Sequence, residues 1–289
     1  MVLKIFCNFL NDFLCISYNF LNDFYTCFYN FLNDFFIFCT TIEIYEFFCY
    51  TLQGLYIIRK FLNVRIYGGI IFMNNLYGLF ASIIYIFLVI FLSNLFTKAG
   101  KEASRKFIHI MLSNWWIIAM VFFDNVWVAS ILPAIFIVVN YLSYRFNLIK
   151  SMERDTDSNE KTLGTVYYAI SLLVLTILSF GIWHKPVYGL VGVTIMGYGD
   201  GFAAIAGKAI KSKEFHIGSS TKSVAGCLTM FCISMIILSG ALVYFSSPHW
   251  FVKSLLLSAL ATIIEAFSIK GTDNLTVPII ITLAVKLLV

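Results

Sequence analysis

Apolar segments long enough to cross a membrane recur along this chain, and they limit its possible folds more than any other feature. A helix that crosses the hydrocarbon core needs about 20 residues. Hydrophobic residues make up 60% of the chain, charged residues only 12%, and the mean hydropathy is +0.88, which excludes an ordinary water-soluble domain. Because the bilayer core offers no water to backbone polar groups, such segments form helices. We therefore predict an all-α, polytopic helical membrane protein.

We predict about eight spans after Met73, separated by polar segments. Asp124-Asn125 is one of the shortest connecting turns, and residues 184–186 form another. The predicted spans are Tyr77–Phe96, Phe107–Phe123, Val126–Tyr144, Leu163–Trp183, Val187 to about Met196 with an extension by the small residues after Asp200, Val224–Phe245, Phe251–Ile269 and Leu275–Val289.

Basic residues are concentrated in alternate loops between these spans. The four richer loops contain Lys98, Lys101, Arg105 and Lys106; Arg145, Lys150, Arg154 and Lys161; Lys208, Lys211, Lys213 and Lys222; and Lys270. The other loops hold only Lys185 and, at the edge of a span, Lys253. The positive-inside rule places the richer loops in the cytoplasm. Since the basic residues lie in short loops rather than along one basic face, we expect no nucleic-acid partner.

The first 72 residues differ from the rest because a hexamer repeats within them. NFLNDF occurs at Asn8–Phe13, Asn19–Phe24 and Asn30–Phe35, with a period of 11 residues. Eleven residues are close to three helical turns, so this period is typical of an 11-residue helical repeat. Alternatively, if the source is bacterial, the codons for residues 67–72 would correspond to a purine-rich ribosome-binding site and an AT-rich spacer before a start codon at Met73. The repeat would then be upstream DNA that has been translated. We favour the second interpretation, with a membrane-embedded domain over residues 73–289.

The stretch Gly199–Gly226 combines an acid, small residues and several bases. Asp200 lies between two glycines at the end of an apolar run. Four lysines follow it: Lys208, Lys211, Lys213 and Lys222. Carboxylate oxygens suit Mg²⁺, and ammonium groups suit phosphates, although a helix-capping aspartate is an alternative explanation. Residues 218–221 can offer backbone N–H groups to phosphate at a helix start, although the GxxxxGK[ST] motif is absent.

A second polar group lies where a predicted helix enters the membrane. Arg105 and His109 are four residues apart and share a helix face. A guanidinium binds phosphate in a bidentate manner, and an imidazole accepts a proton from an alcohol. Lys106, beside them, is either another phosphate ligand or an anchor at the lipid head groups. His109 lies within the apolar run, where ionisable side chains are rare and usually functional.

Two further segments contain acids that can take part in a site. Glu265 lies in an apolar helix, where an isolated carboxylate is costly, so we expect a cation or a basic side chain beside it. Asp273 and Asn274 follow, either as metal ligands or as an ordinary turn. The charges before residue 161 are typical of a solvated loop, and there only Lys161 is a candidate site residue.

Four motifs together resemble the family of dolichol kinases, phytol kinases and CTP-dependent diacylglycerol kinases. They are RKFIH at 105–109, GDGFAAIAGK at 199–208, TKSVAG at 221–226 and IEAFSIKGTDNLTVP at 264–278, in the family's order. The resemblance extends from residue 76 to the C-terminus. It implies a polytopic enzyme that uses a divalent metal to transfer the γ-phosphoryl group of a nucleotide, usually CTP, to the hydroxyl of a membrane lipid.

The motif match and the residue chemistry together indicate three sets of site residues. The candidate catalytic residues are His109, Asp200 and Lys222; the candidate nucleotide or phosphate ligands are Arg105, Lys106, Lys161, Gly199, Gly201, Lys208, Ser223 and Gly226; the candidate ligands for Mg²⁺ or another divalent cation are Asp200, Glu265, Asp273 and Asn274. The expected acceptor is phytol, a polyprenol or dolichol, or diacylglycerol. The general base stays open between His109 and an acid.

Two other functions match parts of this pattern. A phosphatidate cytidylyltransferase has a related membrane fold and a similar acid–glycine stretch, but its Pro-Gly-His-Gly-Gly tail is absent, and residues 271–274 read Gly-Thr-Asp-Asn instead. A transporter would place polar residues throughout the bilayer depth, whereas those of this chain collect at one predicted face. We therefore expect a lipid-alcohol kinase with its active site on the cytoplasmic side.

If the repeat is translated upstream DNA, the natively expressed protein begins at Met73. N-terminal sequencing of protein purified from its own source should then find no residue before Met73. A peptide that contains NFLNDF would contradict this interpretation.

Overall fold

The computed structural model describes residues 69–93, 101–146, 162–217 and 220–289, all within one compact unit. The helices are α1 (Gly69–Ser93), α2 (Lys101–Ser113), α3 (Trp115–Phe122), α4 (Val126–Phe146), α5 (Gly164–Thr176), α6 (Val187–Thr194), α7 (Gly201–Ala209), α8 (Val224–Tyr244), α9 (Trp250–Phe267) and α10 (Asp273–Leu288). The strands are β1 (Glu214–Ile217) and β2 (Ser220–Ser223). The NFLNDF repeat lies outside the described residues, so the start at Met73 stays a prediction.

Two π-helical segments extend these helices. Ile177–Ile182 continues α5, and Ile195–Asp200 joins α6 to α7 without a break. A π-helical turn adds a residue to the helix and often occurs at functional sites. The second segment ends at Asp200, so this widened turn sets the direction of that carboxylate.

The prediction of an all-α, polytopic membrane protein is confirmed. Within the part of the chain that the structure describes, six helices are long and apolar enough to span a bilayer: Asn74–Ser93, Val126–Phe146, Gly164–Ile182, Val187–Ala209, Val224–Tyr244 and Trp250–Phe267. The other two predicted spans are shorter helices. Residues 107–123 are divided between α2 and α3 at Asn114, and α10 has 16 residues.

Consecutive segments run in opposite directions, so the described helix ends next to the predicted basic loops lie at one end of the bundle. Ser104, near the start of α2, donates a hydrogen bond to the Ser93 carbonyl at the end of α1 (2.9 Å). At the opposite end, the Asn75 side chain accepts from the backbone N–H of Asp124 (3.2 Å). The starts of α2, α5, α8 and α10 therefore share one end, which we call the site end.

The α6–α7 segment is the centre of the bundle. In the apolar stretch of this segment 67% of the residues are buried, compared with 28% in the corresponding stretches of α1 and α4. Val191 and Ile195 on this segment pack in one core cluster with Leu238 of α8 and Ile281 of α10. On the outer helices, large apolar side chains such as Phe87 are exposed, which suits contact with lipid rather than with water.

A close approach of α6 and α10 depends on a glycine. A Cβ atom at Gly192 would lie 2.1 Å from the Thr282 hydroxyl and 2.4 Å from the Pro278 carbonyl oxygen. Small residues at such contacts allow membrane helices to pack closely, and dispersion forces then stabilise the pair.

We expect Gly192→Ala to destabilise the bundle by about 1–3 kcal/mol, because the added methyl group must displace backbone. The apparent melting temperature in detergent should fall by several degrees. Gly181→Ala is the matched control, because its Cβ would meet only the Val126 side chain, at 3.2 Å. Equal melting temperatures for the two variants would contradict this interpretation.

Candidate active site

A cavity of about 290 Å³ opens at the site end. Helices α2, α5, α7, α8, α9 and α10 and both strands contribute to its wall. The polar residues that line it are Arg105, Lys106, Thr162, Asp200, Lys208, Glu214, Thr221, Lys222, Ser223, Glu265, Asp273 and Asn274. Segments far apart in the sequence thus bring their charged side chains together at one place.

Lys106 and Asp200 form a buried ion pair at the inner wall of this cavity. The Lys106 ammonium donates to both carboxylate oxygens of Asp200, at 2.6 and 2.5 Å. The two residues are only 5% and 7% exposed. Lys106 is therefore not an anchor at the lipid head groups, which was one of the two interpretations of its sequence position.

Lys222 and Glu265 form a second pair, which ties the hairpin to α9. Lys222 lies on β2, opposite Phe215 of β1, and its ammonium donates to Glu265 Oε1. Burial disfavours the charge of Lys222, but the carboxylates of Glu265 and Asp273 outweigh burial, so the pKa of Lys222 is raised above its usual value. The basic partner expected for Glu265 is thus a lysine from another segment.

Three carboxylates form a cluster suited to a hard cation, and the Asn274 amide lies on the wall of the same cavity. Single oxygen atoms of Asp200, Glu265 and Asp273 lie within 4.8 Å of one another. Asn274, the next residue on α10, donates from Nδ2 to the Gly164 carbonyl (3.0 Å). Its buried Oδ1 accepts no hydrogen bond from any residue that the structure describes. Oxygen donors of this kind are the preferred ligands of Mg²⁺, so the residues present fit a divalent cation.

Arg105 and His109 lie on the same face of α2, but at different depths. Arg105 is 8% exposed and lines the main cavity. His109, one helical turn further into the bundle, lines a smaller neighbouring cavity together with Arg105. The His109 ring packs edge-on against Tyr168, with ring centroids 4.8 Å apart. The structure therefore separates His109 from the wall of the main cavity, where the other two candidate catalytic residues lie.

The glycines beside Asp200 pack against neighbouring helices. A Cβ at Gly199 would lie 2.5 Å from the Met230 sulfur, and one at Gly201 would lie 2.5 Å from a side-chain carbon of Ile110. Neither glycine lines the cavity. This placement differs from the expected phosphate contact, because close helix packing already explains why a side chain is excluded.

The remaining phosphate candidates have different placements. Lys208, Ser223 and Gly226 line the cavity. Ser223 also caps α8, since its Oγ accepts from the backbone N–H of Gly226 (3.1 Å). Lys161 lies outside the described residues, so its role stays a prediction.

The hairpin corrects one sequence-based expectation. Residues 218–221 were expected to lead directly into a helix and to present N–H groups there. Instead, residues 220–223 form β2, although α8 begins at Val224, as predicted. Residues 218 and 219 lie outside the described part of the chain.

Several residues of the cavity wall were not identified from the sequence. Glu214 enters the wall because its strand pairs with the strand of Lys222. Gly271 has φ +86°, and a Cβ there would lie 2.7 Å from the Gly164 Cα. That positive φ favours glycine, so Gly271, two residues before Asp273, is the sequence signal that could have indicated the close approach to Gly164.

Comparison with known proteins identifies similar chains. A phytol kinase of Synechocystis sp. is 30% identical over 200 residues, which cover 65% of this chain and 80% of that protein. A probable phytol kinase 1, chloroplastic, of Oryza sativa is 30% identical over 207 residues, which cover 65% of each chain. Phytol kinase 1, chloroplastic, of Arabidopsis thaliana is 29% identical over 206 residues, which cover 65% of this chain and 66% of that protein. No protein-family model matches the chain, and no solved structure matches it.

The Lys106–Asp200 pair generates a stability prediction. Asp200→Asn leaves the buried Lys106 ammonium without its countercharge, and breaking a buried pair in this way costs about 3–5 kcal/mol. We expect a clear fall in the apparent melting temperature in detergent, and recovery of most of it in the double variant Lys106→Met/Asp200→Asn. A double variant as unstable as the single one would show that the pair does not govern stability.

Proposed function

The chain belongs to the phytol kinase family, and from this membership we propose that it phosphorylates the hydroxyl group of a membrane isoprenoid alcohol. The observation that carries the proposal is the cluster of acids and lysines in one cavity at the end of a membrane bundle. Phosphoryl transfer needs mainly the positioning of two substrates and the stabilisation of charge on the transferred group. A cluster of this composition is suited to both tasks.

The proposed reaction forms one O–P bond and breaks another. The alcohol oxygen attacks the terminal phosphorus of the nucleotide, the bond from that phosphorus to the bridging oxygen breaks, and the nucleoside diphosphate leaves with the bonding electrons. The alcohol proton passes to His109 or to a carboxylate of the cluster. The products are a lipid monophosphate and a nucleoside diphosphate.

The cationic side chains have a direct role in this scheme. Lys106 and Lys222 are paired with carboxylates and can turn towards phosphate oxygens when a nucleotide binds. Arg105 adds a guanidinium, which binds phosphate in a bidentate manner, and Lys208 lies at the exposed rim of the cavity. These groups would hold the nucleotide and stabilise charge that develops on the transferred phosphoryl group.

We propose that Asp200, Glu265, Asp273 and the amide oxygen of Asn274 hold a divalent cation, with Mg²⁺ as the natural choice. Such an ion supplies charge neutralisation for the triphosphate. The support is the donor set, three clustered carboxylates and a buried amide oxygen that accepts no hydrogen bond from the described residues.

We also propose that the donor is CTP and that the site faces the cytoplasm. The choice of CTP rests on the motif resemblance. The orientation is supported by the basic residues near the cavity, since Lys208, Lys211, Lys213 and Lys270 all belong to segments at the site end. The positive-inside rule assigns such an end to the cytoplasm, where nucleotide triphosphates are abundant.

The reaction can be tested with purified protein in lipid nanodiscs. CTP or ATP labelled at the γ-phosphate is offered with phytol, geranylgeraniol, a polyprenol or diacylglycerol. We expect the label in the lipid fraction with an isoprenoid alcohol and with CTP. Label that enters lipid only from α-labelled CTP, and only with phosphatidate present, would instead identify a cytidylyltransferase.

Three variants test the assigned site. Asp200→Ala and Lys222→Ala should each lower kcat by about 100-fold or more, because the first removes a proposed ligand of the divalent cation and the second removes a cation that would stabilise charge on the transferred phosphoryl group. Asp273→Asn, at a less buried position, should do the same and should also weaken Mn²⁺ binding measured by electron paramagnetic resonance. Asp124→Asn is the matched control, since it removes an exposed acid at the opposite end. Full activity of Asp200→Ala or Lys222→Ala would overturn the assignment.

A further inference from the structure

Two small cavities lie beside the main cavity, among α2, α4 and α5. Their volumes are about 20 and 30 Å³. They share four lining residues, Leu112, Phe136, Asn140 and Tyr168. The first is also lined by Arg105, which lines the main cavity as well. The first small cavity therefore borders the proposed nucleotide site at Arg105, and the second borders the first deeper in the apolar interior.

Asn140 of α4 is the unusual residue in the walls of these two small cavities. It is only 7% exposed. Its Nδ2 donates to the Thr165 carbonyl on α5 (3.0 Å). Its Oδ1 is buried and accepts no hydrogen bond from any residue that the structure describes. A buried acceptor without a donor is costly in the absence of water, so a ligand that donates one hydrogen bond would be favoured here.

The surroundings of Asn140 specify the rest of that ligand. Beyond it, the second cavity is lined mainly by apolar side chains: Ile86, Leu112, Trp115, Leu132, Pro133, Phe136, Ala169 and Leu172. An apolar wall that carries only the Asn140 amide and the Tyr168 hydroxyl as hydrogen-bond acceptors matches a hydrocarbon chain that ends in one hydroxyl group. A phosphate or another charged group would not be favoured along this wall, because burial of a charge in apolar surroundings is costly.

We infer that Asn140 holds the hydroxyl end of the isoprenoid alcohol, with its first carbons between α4 and α5. The inference rests on the proposed kinase activity and adds the binding site of its acceptor substrate. In the bound alcohol the O–H donates to Asn140 Oδ1, which leaves the lone pairs of the oxygen available to the phosphorus; as the O–P bond forms, the O–H turns to His109, on the wall of the same small cavity, and releases its proton there. Arg105 lines both the main cavity and the first small cavity, so it marks where the two substrates meet.

Helix α4 has the properties that this site requires. It lies at the edge of the bundle, with only 28% of its span buried, and its main packing partner is α5. Pro133 lines the second cavity and lacks a backbone N–H, so the helical hydrogen bonding is interrupted at that point. The small cavities accept only the first atoms of the alcohol, so we expect α4 to move outward as the lipid chain enters from the bilayer.

The inference can be tested by substitution at Asn140. Asn140→Leu keeps the approximate size but removes the acceptor, so the KM for geranylgeraniol should rise about tenfold, as expected for one lost hydrogen bond, while the KM for the nucleotide stays unchanged. Asn140→Asp keeps an oxygen acceptor at this position, so the KM for geranylgeraniol should rise less than in Asn140→Leu. Ser130→Ala is the matched control, since it removes a buried hydroxyl of α4 that lines neither cavity.

A binding measurement separates this inference from the proposed reaction. A geranylgeraniol analogue with a diazirine near the hydroxyl should label Phe136 or Leu132 in the nanodisc protein without nucleotide, and unlabelled geranylgeraniol should compete. Labelling should fall in Asn140→Leu and persist in Ser130→Ala. If Asn140→Leu turns over the alcohol with unchanged KM and is labelled as strongly as the wild type, the inference is overturned, since a bound water would then be the partner of Asn140. The proposed function would still stand. Labelling without turnover of any alcohol would overturn the proposed function alone.

Discussion

The pairing of buried charges across separate segments is the interaction on which the rest of this structure depends. Asp200 and Glu265 both lie in membrane-spanning helices and are almost fully buried. An isolated carboxylate in such a place is costly, and a lysine close to it offsets much of that cost only if the geometry is good. Lys106 and Lys222 supply this geometry from α2 and β2. The fold at the site end is therefore arranged so that two lysines reach two carboxylates.

This constraint explains the irregular backbone around the site. The π-helical turn before Asp200 and the hairpin that carries Lys222 both depart from regular helix where a charged group must be directed into the cavity. Irregular backbone at this depth is tolerated only where it is covered by protein or lines a polar cavity. The second condition holds here, because the hairpin and α7 border the same polar cavity. The regular helices elsewhere provide the rigid frame.

Much of this arrangement follows from the sequence, and the rest depends on tertiary contacts. Hydropathy predicts the spans because bilayer thickness fixes helix length, and loop charge predicts that the four motifs share an end. The pairing of Lys106 with Asp200 rather than with lipid head groups could not be predicted, since it depends on how α2 packs against the α6–α7 segment. The hairpin was missed because its strands of four residues are too short for a clear pattern. Asn140, outside the four motifs, was missed because its significance depends on an unsatisfied atom.

Several hydroxyl side chains deeper in the bundle form hydrogen bonds within their own helix. Thr176 donates to the Leu172 carbonyl of its own helix (2.8 Å). Ser254 and Ser258 likewise donate to carbonyls one turn earlier in α9, at 2.8 and 2.6 Å. Hydroxyls that satisfy their own helix in this way need no water. Among the described residues, the cluster of acids and lysines lies at the site end rather than along the depth of the bundle, so the structure favours a cavity open on one side. That is the geometry a kinase needs to bring a water-soluble nucleotide to a lipid hydroxyl at the membrane boundary.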